Sequence, residues 1–180
     1  FLEKAKNERN FDVKQNAILK EVLERLGLFT HGKLTNAAVL LFGRNSQKFF
    51  LNAEVRCARF KGTEPVDFID MKVFAGDLFQ QRDLALDFVK AHIKMAAKIV
   101  GTERIETWEY PIEAVREAIT NALCHRDYEM ASTVQVRIFD DKLEVWGCGS
   151  LPKPLDISDL KKKTLFCSKK SFNWQMFFLD

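Results

Sequence analysis

Four polar residues recur at every fourth position in the stretch PIEAVREAITNALCHRDY, which runs from Pro111 to Tyr128. They are Glu113, Glu117, Asn121 and His125. Residues four apart lie on one face of a helix. The spacing therefore predicts a polar row opposite an apolar stripe formed by Ile112, Val115, Ile119, Ala122 and Leu123.

Glu117 and Asn121 together have the chemistry that phosphate transfer needs. A carboxylate can orient or deprotonate a water molecule, and an amide oxygen can bind Mg²⁺. Ala114 and Ala118 stand beside them, and their small side chains leave room for a close approach to the helix. The alternative interpretation is a solvated helix face that binds nothing.

Two further segments could contribute to such a site. Gly147, Gly149 and Ser150 follow a predicted hairpin, and glycine lets a backbone meet a ligand closely. At the end of the helix, His125-Arg126-Asp127 is typical of a local cap with an ion pair. The alternative role for Arg126 is contact with a phosphate.

The elements that must position these residues alternate between helix and strand. Residues 12–28 have helical spacing closed by Gly27, and residues 53–60 and the stretch VDFIDMKVFAG alternate as strands. Asp77 is the predicted N-cap of a long helix that runs to Val100. RIETWEYP is predicted to be extended, Pro111 opens the polar-row helix, and LTNAAVLLFG is too short to assign. Asp140 and Asp141 join two strands of a hairpin.

This order predicts an α/β (α+β) fold in which helices lie on a mixed sheet as a layer sandwich. The predicted core includes six aromatic residues, whereas His31 and His92 are given no role in a site. The six are Phe49, Phe50, Phe60, Phe68, Phe74 and Phe88.

Composition narrows the class of protein. The 180 residues carry a formal charge of +3, and the basic cluster near the C-terminus is interpreted as a solvated tail. The four cysteines form no C-x-x-C pair, so neither a disulfide framework nor a zinc site is predicted, and reduced thiols in the cytoplasm are expected. No apolar run approaches the roughly 18 residues of a membrane span. Because Phe1 replaces an initial methionine, we expect a piece of a longer protein.

The stretches YPIEAVREAITNALCHRDY and VQVRIFDDKLEVWGCGSLP resemble the C-terminal histidine-kinase-like ATPase region of prokaryotic transcriptional regulators, some of them described as RecG-like ATP-dependent DNA helicases. GKLTNAAVLLFGRN, EVRCARFKG and FIDMKVFAGDLFQQRDLALDFVKAHI resemble the segment that precedes this region. The resemblance implies a fold of the gyrase, Hsp90 and MutL type that binds ATP and Mg²⁺. It does not extend to helicase activity, because no G-x-x-x-x-G-K-[ST] loop is present.

By the same resemblance, Glu117 is the general base and Asn121 the Mg²⁺ ligand, with His125, Arg126, Gly147, Gly149 and Ser150 at the nucleotide. In the wider superfamily, the aspartate of an Asp-x-Gly-x-Gly turn binds the adenine. In the regulators, the sequence at this turn is similar to Asn-Pro-Gly-Gly-Leu-Pro. This chain has Gly147-Cys148-Gly149-Ser150-Leu151-Pro152 instead. The nucleotide site is therefore predicted to be weak or degenerate, and ATP hydrolysis is left open.

Three segments are predicted: residues 1–105 packed with the following part, the ATPase-like core at 106–165, and an atypical tail at 166–180. Permitted codons for Lys169 to Phe177, read one base later, spell Arg-Asn-Pro-Leu-Ile, a sequence similar to the segment expected there. A frameshift near Cys167 to Lys169 is the hypothesis, and divergence is the alternative.

Two classes of function remain. One is a nucleotide-binding domain of a DNA-associated regulator, and the other is a structural or dimerisation module that keeps the helix for packing. No helix-turn-helix or basic recognition helix is present, so DNA contact is expected from flanking domains. A homodimer is compatible with either class.

Overall fold

The computed structural model describes residues 19–100 and 103–149, of which 97–100 and 103–106 are described as backbone only. Contacts divide the chain into two compact units, Phe1–Gly43 and Arg44–Asp180. None of the helices in the described ranges is both long and apolar enough to cross a bilayer. The predicted segment boundary at 105–106 stays a prediction.

The first unit contains helix α1 (Leu19–Arg25), the paired strands β1 (Phe29–Thr30) and β2 (Lys33–Leu34), and helix α2 (Asn36–Phe42). Gly27, at φ 69°, lets the amides of Gly27 and Leu28 bond back to the carbonyls of Glu24 and Leu23. This is a Schellman cap, so the predicted C-cap is confirmed. The part of the predicted helix before Leu19 lies outside the described residues.

Helix α2 forms within the stretch that was too short to assign from sequence. Thr35 caps it, because its side chain accepts a hydrogen bond from the Ala38 amide. A threonine oxygen at this position satisfies one of the amides that the first helical turn leaves free.

The second unit is built on a mixed four-stranded sheet of β3 (Val55–Phe60), β4 (Phe68–Phe74), β7 (Val134–Ile138) and β8 (Leu143–Trp146). The strands lie in the order β4-β3-β7-β8. β3 pairs with β7 in parallel, whereas β3–β4 and β7–β8 are antiparallel. The two strands predicted from alternation and the predicted hairpin are confirmed.

Two helices cover one face of this sheet. α3 (Leu78–His92) contacts β3, β4 and β7, and α4 (Ile112–Cys124) contacts β7, β8 and α3. Their apolar side chains join those of the strands in one buried cluster that includes Val55, Val89, Val115, Ile119, Val134 and Val136. The expected helices on a mixed sheet are therefore present.

The long predicted helix is wrong beyond His92. Asp77 caps its start, accepting a hydrogen bond from the Gln80 amide, but Ile93 leaves the helical region at φ −102° and ψ 157°. The chain then forms an antiparallel hairpin of β5 (Met95–Val100) and β6 (Glu103–Trp108), in which Val100 pairs with Glu103. The extended character expected of RIETWEYP is confirmed from Arg104 to Trp108, after which the chain bends into α4 (Ile112–Cys124).

The aromatic core prediction is correct only in part. Phe60 and Phe88 are buried, and Phe74 packs against the main cluster. Phe49 and Phe68 are exposed instead, at 69% and 57%. Phe68 lies on an edge strand, where only one neighbouring strand covers it.

Asp140 ties the β7–β8 turn to the loop after β3. Its carboxylate lies 2.5 Å from Arg59 Nη2 and accepts a hydrogen bond of 2.9 Å from the Gly62 amide. Its own amide donates to the Gly62 carbonyl at 3.0 Å. The hydrogen bond from Arg59, with that from Gly62, lowers the pKa of Asp140 below its ordinary value.

This lowered pKa predicts a pH-dependent contribution to stability. The contribution is present above the unfolded pKa of about 4 and is lost as the pH falls through the folded pKa. Asp140→Asn should reduce the free energy of unfolding at neutral pH, and its difference from the parent should shrink in acid. Urea unfolding across pH measures this, with exposed Asp141→Asn as the matched control. Equal effects of both variants at neutral pH would contradict the prediction.

Candidate functional site

Helix α4 places the polar row as the sequence predicts. Four members of the apolar stripe are buried, namely Val115, Ile119, Ala122 and Leu123, and Ile112 packs against the same core. On the other side, Glu117 is exposed and Asn121 is half-buried. Pro111 occupies the N-cap rather than the first helical residue, a shift of one position.

Glu117 and Asn121 contact each other directly. The Asn121 amide nitrogen donates to Glu117 Oε1 at 3.1 Å. Because a carboxylate only accepts hydrogen bonds, this contact fixes which end of the amide faces Glu117. The amide oxygen of Asn121 and the second carboxylate oxygen of Glu117 therefore remain available, with no hydrogen bond from the described residues.

The glycine segment Gly147–Gly149, after β8, packs closely against the end of α4. A Cβ on Gly147 would lie 3.3 Å from the Ala122 carbonyl oxygen, and one on Gly149 would lie 2.7 Å from that of His125. Gly149 also has φ 152°, a conformation that side chains rarely allow. Both glycines thus pack β8 and the residues after it onto the end of α4. Ser150 lies outside the described residues, and Ala118, expected to leave room, is buried.

His125 and Asp127 complete the end of α4. The exposed His125 is the C-cap, and its amide donates to the Asn121 carbonyl at 2.9 Å. Asp127 binds backbone groups: its amide donates to Cys148 at 2.7 Å, and its carboxylate accepts from Glu129 at 2.8 Å. The cap is therefore confirmed, but Asp127 forms no ion pair with Arg126 in the described structure.

Arg126 is buried, with 6% of its surface exposed. Its Nη2 donates to the Ser132 carbonyl, and its guanidinium lies 4.8 Å from the centre of the Tyr128 ring. Its Nε and Nη1 are buried and have no hydrogen-bond partner within the described part of the chain. Unpaired donors on a buried charge are costly, and here Nε and Nη1 lack an acceptor while Nη2 has one.

Tyr128 forms the platform beneath Arg126. Its hydroxyl donates to the Leu123 carbonyl at 2.7 Å, and Phe50 meets its ring edge-on at 6.1 Å. Burial raises the pKa of Tyr128 to about 12, although the charge of Arg126 acts in the opposite direction. The phenol is therefore neutral at physiological pH and cannot be the counter-ion of Arg126.

The structure thus brings together Glu117 with Asn121, and Arg126 with Tyr128, along the end of one helix. No group of three or more potential metal ligands from His, Cys, Asp and Glu occurs in residues 19–100 and 103–149. Sequence reasoning missed the burial of Arg126. The one available signal was its position between the end of the buried stripe at Leu123 and the aromatic Tyr128.

Sequence reasoning also gave His92 no role, yet His92 joins α3 to β4. Its Nε2 lies 3.2 Å from Asp70 Oδ2, and its Nδ1 lies 2.8 Å from the Phe88 carbonyl oxygen. Its ring also packs on that of Phe88, with ring centres 4.2 Å apart. These contacts are remote in sequence from α4 and support the sheet rather than the polar row.

Comparison with known proteins bears on the fold. No protein-family model matches the chain, and no curated protein is significantly similar to it. Among solved structures, it is similar to the DIP2311 protein from Corynebacterium diphtheriae, with a TM-score of 0.65 and 23% identity. The match covers 86% of this chain and 31% of that protein, so the chain spans less than a third of its length. At this identity the likeness shows the fold alone.

The two glycines predict different costs of substitution. Gly149→Ala should destabilise the protein by about 1–3 kcal/mol, because it combines a rare backbone conformation with an overlap on the His125 carbonyl. Gly147→Ala, the matched control, should cost clearly less, because its Cβ contact is longer, at 3.3 Å, and its φ is not positive. Chemical denaturation measures both. A Gly149→Ala protein as stable as the parent would show that the glycine is not needed for this packing.

Proposed function

We propose that residues 44–180 contain a nucleotide-binding domain of histidine-kinase-like ATPase fold that takes ATP with Mg²⁺, and that it belongs to a prokaryotic transcriptional regulator. The observation that carries the proposal is the Glu117–Asn121 pair on the outer face of α4, 3.1 Å apart. The resemblance of the whole α4 stretch to that ATPase region supports it.

The pair is oriented for magnesium chemistry. Because the Asn121 nitrogen is held by Glu117, its oxygen is left as the metal ligand. Mg²⁺ retains several waters and needs only one or two protein ligands besides phosphate oxygens. Such a site does not require a cluster of three acidic or histidine side chains. Bound Mg²⁺ would neutralise phosphate charge, while Glu117 would orient or deprotonate the attacking water.

Arg126 supplies the second element of the proposal. A phosphate oxygen is the type of acceptor that its free Nε and Nη1 require. The residue follows His125 at the end of the same helix as Asn121. Because these two donors are buried, a phosphate can reach them only if the groups that cover Arg126 move. The triphosphate is proposed to lie at this end of α4.

The proposed affinity is weak. The chain lacks the aspartate that reads adenine in the wider superfamily. Moreover, Gly147 and Gly149 lie against the backbone at the end of α4, so protein atoms fill the space where a ligand was expected from the sequence. This packing favours the second candidate function, a non-catalytic structural or dimerisation module. Contact with DNA is proposed only through flanking domains.

Substitution of the pair should separate binding from hydrolysis. Asn121→Ala should weaken Mg²⁺-dependent ATP binding about tenfold or more, because it removes an oxygen ligand. Glu117→Gln should leave binding nearly intact and abolish hydrolysis, because the amide cannot accept the proton of water. Calorimetry with ATP and Mg²⁺, and phosphate release, measure the two effects.

The matched control is Arg116→Gln on the same helix, which removes an exposed side chain paired to Glu113 and should change neither quantity. All three variants should keep the parent's stability within about 1 kcal/mol, because they lie outside the core. Large losses of stability in Glu117→Gln and Asn121→Ala, with no ATP bound by the parent, would favour the structural module.

Arg126 should act on the phosphates alone. Arg126→Met should weaken ATP binding while leaving the weaker binding of adenosine unchanged. Loss of the hydrogen bond to Ser132 is offset by removal of a buried unpaired charge, so stability should change by less than about 1 kcal/mol. Equal losses for ATP and adenosine in a correctly folded variant would place the phosphates elsewhere.

A further inference from the structure

Strand β4 is one of the two edge strands of the four-stranded sheet in the described part of the chain. Its apolar side chains are unusually exposed, at 58% for Ile69, 57% for Met71 and 48% for Val73. An edge strand also presents a row of backbone N–H and C=O groups with no neighbour. Such an edge is a template on which another strand can pair.

The two faces of β4 differ in chemistry. Asp70 contacts His92 and the Phe74 ring lies 6.3 Å from that of Phe88, so these residues face α3. Alternation then places Lys72 on the α3 side and Met71 and Val73 on the opposite face. The pairing with β3 becomes irregular only at Ile69, before Asp70. The regular part of the edge therefore has Met71 between an acid and a base.

We infer that β4 pairs antiparallel with β4 of a second copy of this chain, about a twofold axis at Met71. In this register Asp70 lies opposite Lys72 of the partner subunit, and the pair occurs twice. Val73 lies opposite Ile69 of the partner subunit, and Met71 meets its own copy. The edge is thus complementary to itself in both charge and apolar character.

Charge also selects this register. Moving the axis to Asp70 places two carboxylates directly opposite each other, and moving it to Lys72 does the same with two ammonium groups. Like charges directly opposite each other across strands are destabilising. A two-fold interface of this kind buries the same patch on both copies. The resulting dimer continues one sheet through eight strands and is independent of nucleotide binding.

Charge variants test the inference by sedimentation velocity over a dilution series. The parent should show a concentration-dependent monomer–dimer equilibrium. Lys72→Asp and Asp70→Lys should each self-associate about tenfold or more weakly, because two attractive pairs become two repulsive ones. An equimolar mixture of the two variants should restore dimerisation, because every carboxylate then faces a lysine. Lys48→Asp, at an exposed position on another segment, should behave as the parent.

Cross-linking tests the register directly. Under oxidation Met71→Cys should form a disulfide-linked dimer, because directly opposed residues have Cα atoms about 4.5–5.5 Å apart. Val73→Cys should not, because its own copy lies four residues away along the strands, about 13 Å. The parent chain gives the background from the native cysteines, and circular dichroism checks that each variant folds.

Three outcomes would overturn the inference. They are a parent that stays monomeric at every concentration, single charge variants that associate as the parent does, and a mixture that fails to restore the dimer. A dimer indifferent to these substitutions would place its interface elsewhere.

Discussion

Burial of the α4 stripe against the central strands is the constraint on which the rest of the second unit depends. Val115 and Ile119 are fully buried and meet the core formed by β3 and β7. Each such side chain contributes about 1.5–3 kcal/mol through burial. Because a helix has a fixed period, holding the stripe inward also holds Glu117 and Asn121 outward. The site geometry is thus a consequence of core packing, and no loop is needed to position the pair.

The end of α4 is fixed by a second set of contacts. The turn after β8 packs on the carbonyls of Ala122 and His125 through its glycines, and Cys148 accepts a hydrogen bond from the Asp127 amide. These contacts place Arg126 in a closed environment above Tyr128. The same packing that shapes the candidate site also removes the free backbone that a glycine-rich ligand turn would offer. Glycines that pack on α4 to stabilise the fold therefore cannot also contact a ligand.

The sequence correctly predicted the elements that depend on residues close together in the chain. The alternation of β3, the Asp77 cap, the α4 stripe and the β7–β8 hairpin each depend on neighbours within a few residues, and each is present. The end of α3 was missed because Ile93 continues the apolar spacing of the helix. The sequence signal for a hairpin was Gly101-Thr102. A two-residue link that begins with glycine is typical of a hairpin, and here it separates the paired residues Val100 and Glu103.

Tertiary contacts account for the other misses. Gly149 packs against the end of α4 rather than leaving room for a ligand. This contact depends on the packing of β8 on α4, which no short sequence pattern encodes. The burial of Arg126 is likewise decided by Tyr128 and Ser132, which follow the helix and fold back over it. A charged residue is ordinarily exposed, so sequence alone favours the wrong environment here. The departure from that rule is what makes Arg126 informative.

The strand order separates the two surfaces proposed for this protein. α4 contacts β7 and β8, whereas β4 lies at the opposite edge, beyond β3. With strands about 4.8 Å apart, the outer edge of β4 is on the order of 14 Å from β8. Pairing of two copies through β4 would therefore leave the Glu117–Asn121 face of each copy uncovered. A dimer of this form would leave both proposed nucleotide sites accessible, so the two proposals are compatible with each other.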